Sequence, residues 1–384
     1  MIYFDNAATT QLSDSVKNTI IQHLDTYGNP SSQYDFGKIS KKLINDARRS
    51  IEHTLGLYNN SVIFTSGGSE SDNLAIKAGF FHGMRRGRNK IVISSVEHHA
   101  VTYAAEQMKS FGAEVVVVNV DKNGAVDIDD LKQKVDYKTA IVSIMLSNNE
   151  TGTTNNIYSC QYIAHAKGAL FHTDAVQGIT HIKLNADMAD MISFSGHKFR
   201  APKGIGGLYI HPAIMEEMKD FPLICGGKQE FHMRAGTENV PYIVGLSQAV
   251  TDLYENMKNK LIIEEHLHNY LLNKLNSEFP YVKINGTSNT KKKNPSILNF
   301  SIGFADAASV VEYMSLNNIC ISSGSACNTG SPKPSHVLTA MGCSEQEAFS
   351  SIRVSFSELN SEMDINDFIQ ALKRFEAIFN SHGQ

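Results

Sequence analysis

Short β-branched runs recur through the first two hundred residues, with amphipathic stretches between them, and this alternation leaves few folds open. Val62 to Phe64, Ile91 to Ile93, Val115 to Val118, Ala140 to Leu146, Ala169 to Phe171 and Met191 to Phe194 read as buried strands. The clearest helix is predicted over roughly 38 to 55, where Ile39, Leu43, Ala47, Ile51 and Leu55 recur every four residues and Gly56 can cap the end. Strands alternating with helices predict an α/β unit whose mostly parallel sheet is covered on both faces. The last hundred or so residues read differently, with a helix near 261 to 278, strands at 281 to 284 and 296 to 301, and a further helix near 364 to 380. They predict a second, smaller α+β domain, joined across a soft boundary near 255 to 262 where Met257-Lys258-Asn259-Lys260 offers no Pro or Gly break. The stretch NGTSNTKKKN, 285 to 294, reads as a solvated loop.

Composition serves mainly to exclude. The 384 residues are 42% hydrophobic and 19% charged, which suits a compact core and argues against a coiled coil, a collagen or a disordered tail. With 35 Lys plus Arg against 39 Asp plus Glu the net charge is −4, so neither nucleic acid nor an anionic membrane is an expected direct partner. No apolar run approaches the ~20 residues of a membrane span, and the first residues, MIYFDN, lack a basic-then-apolar leader, which gives a cytoplasmic expectation. Cys160, Cys225, Cys320, Cys327 and Cys343 are odd in number, scattered and without a C-x-x-C pair. They read as reduced thiols and suggest neither a disulfide framework nor a metal site.

Ligands of open parallel sheets bind beyond the carboxyl ends of the strands, and here those ends are rich in polar residues. The first strand runs into Thr65-Ser66-Gly67-Gly68-Ser69-Glu70, a turn where backbone amides at a helix start favour an anion such as phosphate. Later strands end in Glu97-His98-His99, Asn148-Asn149-Glu150, His172-Thr173-Asp174 and Ser195-Gly196-His197-Lys198. One such tail is ordinarily a cap or a turn. Five together supply a phosphate cradle, a flat imidazole, an amide, a buried acid and a lysine, which is what an aromatic aldehyde cofactor such as pyridoxal phosphate requires.

At these residues the sequence resembles the cysteine desulfurases of the nitrogen-fixation and iron–sulfur-assembly type, which are fold-type I pyridoxal-phosphate enzymes of the class V aminotransferase superfamily. The motifs span the chain: YFDNAATT (3–10), YGNPSS (27–32), TSGGSESDN (65–73), EHHAV (97–101), SNNETG (147–152), HTDAVQ (172–177), SGHKFRAPKGIG (195–206), RAGTEN (234–239), SSGSACNTGSPKPSHVL (322–338) and IRVSF (352–356). The resemblance implies a large cofactor-binding domain over 15–258, with 1–14 and 259–384 forming a small domain that carries a catalytic cysteine loop at 322–335. It also implies that Lys198 is the Schiff-base lysine, Asp174 the partner of the pyridinium nitrogen, and His98 a ring that stacks on the cofactor and serves in proton transfer. Asn149 and Gln177 would approach the phenolic oxygen, with Asn149 near the substrate amine. Gly68, Ser69, Ser195 and His197 would hold the phosphate, and Thr237 would reach it from the other subunit of a homodimer. Arg353 corresponds to the arginine that clamps the substrate carboxylate, and Arg234 is given no chemistry.

Cys327 matches the persulfide-forming cysteine, in a stretch so rich in small residues and turn formers that it reads as a mobile loop. Cys160, Cys320 and Cys343 read as inert core thiols. The activity implied is conversion of L-cysteine to L-alanine with sulfur passed as persulfide to an acceptor protein, either an iron–sulfur scaffold or a tRNA-thiolating enzyme. Cys327 is also a candidate transient iron–sulfur ligand. A selenocysteine lyase and another pyridoxal-phosphate aminotransferase-like enzyme are the alternatives within the fold. Tyr34, Ser69, Ala201 and Lys228 depart from the commonest family pattern; Ser69 keeps the hydroxyl that phosphate binding needs, whereas Lys228 adds charge near the expected substrate entrance or dimer contact.

Overall fold

The computed structural model describes residues 1–323 and 333–382. A two-residue strand, β1 (Ile2–Tyr3), is followed by β2 (Val62–Thr65), β3 (Lys90–Ser94), β4 (Glu114–Val118), β5 (Thr139–Ser143), β6 (Leu170–Asp174), β7 (Met191–Ser195) and β8 (Gly206–Ile210). Strands β2 to β8 form one seven-stranded sheet in the order β2-β8-β7-β6-β5-β3-β4. All its pairings are parallel except those made by β8, which runs antiparallel between β2 and β7. Reversal at β8 leaves β2 parallel to β7, so the carboxyl ends of β2, β3, β5, β6 and β7 meet at one edge.

Both faces of this sheet are covered, as continuous apolar strands require. On one side Leu74, Ala75 and Ala78 of the helix Gly68–Met84 and Val101, Ala104 and Ala105 of the helix His99–Met108 pack on Ile63, Ile91, Ile93 and Met191. On the other, Val62, Phe64, Val142 and Phe194 meet helical residues that include Ile44, Ile51, Ile163, Leu246 and Val250. The helix expected over roughly 38 to 55 spans Asp35–Thr54, and Gly56 adopts φ +64° just beyond it.

A second sheet contains β9 (Lys283–Asn285), β10 (Ile297–Ser301), β12 (Ser322–Ser323) and β13 (Ser351–Ser355), in the antiparallel order β12-β13-β10-β9. Between β10 and β12, β11 (Ile319–Cys320) pairs in parallel with β1. Phe4, Leu298, Phe300, Ile352 and Val354 form a separate core with Phe368 and Leu372 of the helix Glu362–His382. The two cores share one long helix, Val240–Glu278: its first half packs into the first core through Leu246, Val250 and Met257, its second half into the other through Leu267, Leu271 and Leu275. The sequence pattern starts this helix near 261 and places a soft boundary at 255 to 262. In the structure the polar stretch 257–260 lies inside the helix, since without Pro or Gly it does not interrupt the backbone ladder.

Among the described cysteines, Cys160 is buried, Cys320 and Cys343 are half-buried and Cys225 is exposed, so the core reading fits Cys160 and only partly fits the other two. Burial pushes the Cys160 thiol up to about 12. The expected carrier Cys327 lies outside the described residues. Ser322 and Ser323, expected in its loop, pair as a strand with Arg353 and Ile352.

Candidate active site

The turn after β2 is shaped by two glycines. Gly67 takes φ +149°, and a side chain on Gly68 would place its first carbon 2.7 Å from Val176 Cγ2, so the helix Gly68–Met84 begins where only bare backbone fits. Ser195 Oγ faces this turn, 3.5 Å from where a Gly67 side chain would begin. Ser69 is exposed in the first helical turn. Glu70 accepts the Ser66 N–H (2.8 Å) and pairs with Arg234 Nε (2.9 Å), which ties the turn to the segment leading to Thr237. Burial raises the Glu70 carboxyl, but the bonds from Arg234 and Ser66 outweigh it and hold its pKa below the ordinary value. Thr237 itself is exposed.

Asp174 ends β6, buried, with Oδ1 accepting the Val176 N–H at 2.8 Å. Burial raises its pKa, while the nearby His98 and Lys198 act in the opposite direction. A buried acid so placed is stabilised as carboxylate by a cationic ring nitrogen. His98 caps the helix His99–Met108: its Nδ1 accepts the Ala100 N–H at 3.1 Å, so that nitrogen carries no proton. Desolvation in the cleft lowers its pKa, with Lys198, His99 and His336 adding to the effect against Asp174.

Lys198 sits in the short turn after β7, and its Nζ donates to the carbonyls of Ala7 and Ala8, both at 2.8 Å. Burial and the Arg353 charge bring its pKa down to about 8, against the pull of Asp174 and Asp5. His197 hydrogen-bonds Thr9 Oγ1 at 3.1 Å through Nδ1, and burial beside Lys198 and Lys203 lowers it to about 4. Gln177 is buried and donates to the Ala7 carbonyl at 2.7 Å, so its amide hydrogens serve the N-terminal segment. Asn149 contributes its backbone carbonyl, which accepts from Arg353 Nη1 at 2.9 Å. Arg353, central in β13 and nearly buried, also donates through Nη2 to Asp5 Oδ1 at 2.8 Å.

The structure thus brings Lys198, Asp174, His98, Gly68, Ser69, Ser195 and His197 to one edge of the central sheet, with Arg353 reaching them through residues 5–8. A bare-backbone helix start, a buried acid and an amine depressed towards neutrality fit the phosphate, ring nitrogen and aldehyde carbon of a pyridoxal phosphate, respectively.

Sequence reasoning passed over several groups here. Asp5, Ala7 and Ala8 lie in a quoted motif but were given no task, since two of them act through backbone carbonyls. Glu97 is buried, accepts from Ser94 Oγ and Met145 N, and is pushed up to about 8 by burial; Glu150 accepts from Ser335 Oγ and is raised to about 7 for the same reason. His336 Nε2 donates to the Glu97 carbonyl at 3.0 Å while its ring lies 4.7 Å from that of His99.

Residues 2–368 match the family model described as Aminotransferase class-V. A relative named cysteine desulfurase IscS, from Dictyoglomus turgidum, is 37% identical over 376 residues, 97% of this chain and 94% of its own length. Among solved structures, one titled NIFS-like protein has a TM-score of 0.89 at 30% identity, covering 98% of this chain and 99% of that one. Another, SspA in complex with cysteine, has a TM-score of 0.80 at 32% identity, covering 93% and 99%.

Proposed function

From the premise that the chain belongs to the class-V aminotransferases, in their cysteine desulfurase branch, we propose that it converts L-cysteine to L-alanine with pyridoxal 5'-phosphate bound at the sheet edge and Cys327 receiving the sulfur. The observation that carries this reading is the meeting of the Lys198 amine and the Arg353 guanidinium around one N-terminal turn, with the buried Asp174 near enough to Lys198 for their charges to interact.

When bound, the cofactor supplies an electron sink for charge developing at the substrate's α-carbon. Asp174 would keep the ring nitrogen protonated, and the amides of Gly68 and Ser69 with Ser195 and His197 would hold the phosphate. His98 would stack on the ring, and Gln177 and Asn149 would approach its phenolic oxygen. Arg353 binds the substrate carboxylate through its planar fork of donors. Lys198 Nζ, with its pKa depressed to about 8, takes the proton from the α-carbon and returns it. Cys327, as thiolate, attacks the substrate sulfur: a sulfur–sulfur bond forms, the carbon–sulfur bond breaks, and the β-carbon gains a proton to become the methyl group of alanine.

In this reading residues 15–258 hold the cofactor, and 1–14 with 259–384 carry Arg353 and the cysteine segment. A homodimer brings Thr237 to the partner's phosphate. Its exposed position supports this, as do the exposed apolar residues Ile21, Leu24, Tyr27, Tyr34, Phe36 and Ile39 that a second copy would cover. The setting is cytoplasmic, and the acceptor is a protein of iron–sulfur assembly or tRNA thiolation. Among the described residues no helix is long and apolar enough to cross a membrane.

Purified protein loaded with pyridoxal phosphate and given L-cysteine should form one alanine per sulfur transferred, with a persulfide on Cys327 detectable by mass spectrometry. If Cys327→Ser keeps the cofactor and still releases sulfide at the wild-type rate, the assigned role of Cys327 is wrong.

A further inference from the structure

Asp5 has no task in the mechanism above, yet it holds the side chain on which substrate recognition depends. Its Oδ1 accepts from Arg353 Nη2 at 2.8 Å, and the two side chains are only 21% and 10% exposed. Arg353 Nη1 is committed to the Asn149 carbonyl, while Nε is buried with no hydrogen-bond partner among the described residues. The backbone around Asp5 is fixed: Phe4 N donates to Cys320 O at 2.8 Å, Ser355 N to Phe4 O at 2.7 Å, and Asp5 itself bridges to Ser355. Its carbonyl closes a turn by accepting the Ala8 N–H at 3.0 Å. The far end of that turn presents the Ala7 and Ala8 carbonyls to Lys198. One turn therefore offers a carboxylate to Arg353 at its start and two carbonyls to the reactive amine at its end.

An amino-acid substrate brings a second carboxylate to the same guanidinium. Two carboxylates on one cation repel each other, and a confined site that screens charge poorly makes that repulsion count. Substrate and product carry the same carboxylate and amine, so an Arg353 without a competitor would hold L-alanine as firmly as L-cysteine.

We propose that Asp5 is the resident carboxylate of Arg353, a positioning residue that occupies the guanidinium in the free enzyme, yields it to the substrate carboxylate, and reclaims it as the amino-acid product leaves. This rests on the desulfurase reading only in taking both substrate and product to be α-amino acids.

The test uses the holoenzyme and three small molecules: L-cysteine for KM and kcat, L-alanine for direct affinity by calorimetry, and cysteamine, which has the amine and thiol of cysteine without the carboxylate. Asp5→Asn keeps an oxygen that can accept from Arg353 and removes the charge. We expect it to tighten L-alanine binding and lower the KM for cysteine, each about five- to tenfold, and to lower kcat as release slows, while cysteamine affinity stays within about twofold. Asp5→Glu, which restores a carboxylate, should return all four values towards wild type. The proposal is overturned if Asp5→Asn leaves L-alanine affinity unchanged or weakens it, or if it shifts alanine and cysteamine alike, as a structural role would. Should Asp5→Asn fail to fold, Asp5→Ser supports the same comparison. Formation of alanine from cysteine by the wild-type protein tests the parent reading separately, because the alanine and cysteamine binding arms decide the role of Asp5 without turnover.

Discussion

Gly68→Ala tests whether the turn after β2 is an anion cradle. The added methyl carbon would lie 2.7 Å from Val176 Cγ2 and 3.5 Å from Ser195 Cβ. The first distance is roughly 0.8 Å inside the ~3.5 Å at which carbon atoms meet favourably, so something must move. If the helix start retreats, the amides of residues 68 and 69 withdraw from the phosphate. A hydrogen bond to a charged group contributes about 1.5–3 kcal/mol, so losing the equivalent of one weakens pyridoxal phosphate binding by about 2 kcal/mol, or roughly thirtyfold. If Val176 moves instead, the disturbance falls on the N–H that Asp174 accepts, and binding of the ring suffers whether or not a phosphate is attached. Titrating the apoprotein with pyridoxal phosphate and with pyridoxal, followed by absorbance, separates the two. Roughly thirtyfold loss for the phosphate ester with less than threefold loss for pyridoxal is expected. An unchanged phosphate-ester affinity, or an equal loss for both ligands, would refute the cradle. Overpacking should also cost about 1–3 kcal/mol of stability, which denaturant melts will report.

Three further outcomes follow from the same geometry. In the apoprotein the Lys198 amine should be neutral above pH of about 8 and protonated below it, so acylation of that lysine should rise with a midpoint near 8 and vanish in Lys198→Arg, as read by peptide mass mapping. The buried pair of Arg48 and Glu230 is joined at 2.6 Å, with Glu230 also accepting the Phe64 N–H and Arg48 lying 4.8 Å from the rings of both Phe64 and Phe231. Arg48→Met leaves the acid buried alone and should cost about 3–5 kcal/mol in urea unfolding. Lys293 lies in the stretch that reads as a solvated loop but is buried, as is Asn294; its Nζ has no partner among the described residues, and burial lowers its pKa to about 7. Between pH 7 and the ordinary lysine range the unfolded chain binds a proton that the folded chain refuses, so stability rises with pH across that window and is lowest at and below pH 7. Lys293→Met should accordingly stabilise the protein by roughly 2–4 kcal/mol at pH 7, with a gain that shrinks towards pH 10.

The inner strands of the parallel sheet were legible because they are buried on both sides and read as unbroken apolar runs; Val115 to Val118 also reads as a buried strand, but β4 lies at the sheet edge, where only Val118 is buried and Val117 is exposed. Strand β8 was not legible. Gly206 and Gly207 interrupt its pattern, and the reason is steric: a side chain at Gly207 would meet the Phe194 ring at 2.3 Å, and one at Gly206 the Phe194 carbonyl at 2.6 Å. The first half of the helix Val240–Glu278 was missed for a similar cause, since Pro241 opens it and Gly245 lies where a side chain would strike Ile20 at 2.7 Å. Ala140 to Leu146 reads as one strand although β5 ends at Ser143; Ile144 and Leu146 still donate to the carbonyls of His172 and Asp174, so the apolar run follows the pairing further than the regular ladder does. In the site, Lys198, Asp174, His98 and Arg353 were singled out by motif, while Ala7, Ala8 and the carbonyl of Asn149 act through backbone atoms that no residue-type argument singles out. Asp5 was overlooked because its partner is 348 residues away in the chain.

The helix shared by the two cores has a mechanical consequence. At 39 residues it is about 58 Å long, an unbroken strut buried at one end among Leu246 and Val250 and at the other among Leu271 and Leu275. Neither core can melt without fraying a helix that the other still grips, so calorimetry should record a single heat-absorption peak. A chain severed between Asn259 and Lys260 should yield two aggregation-prone fragments instead of two independent proteins.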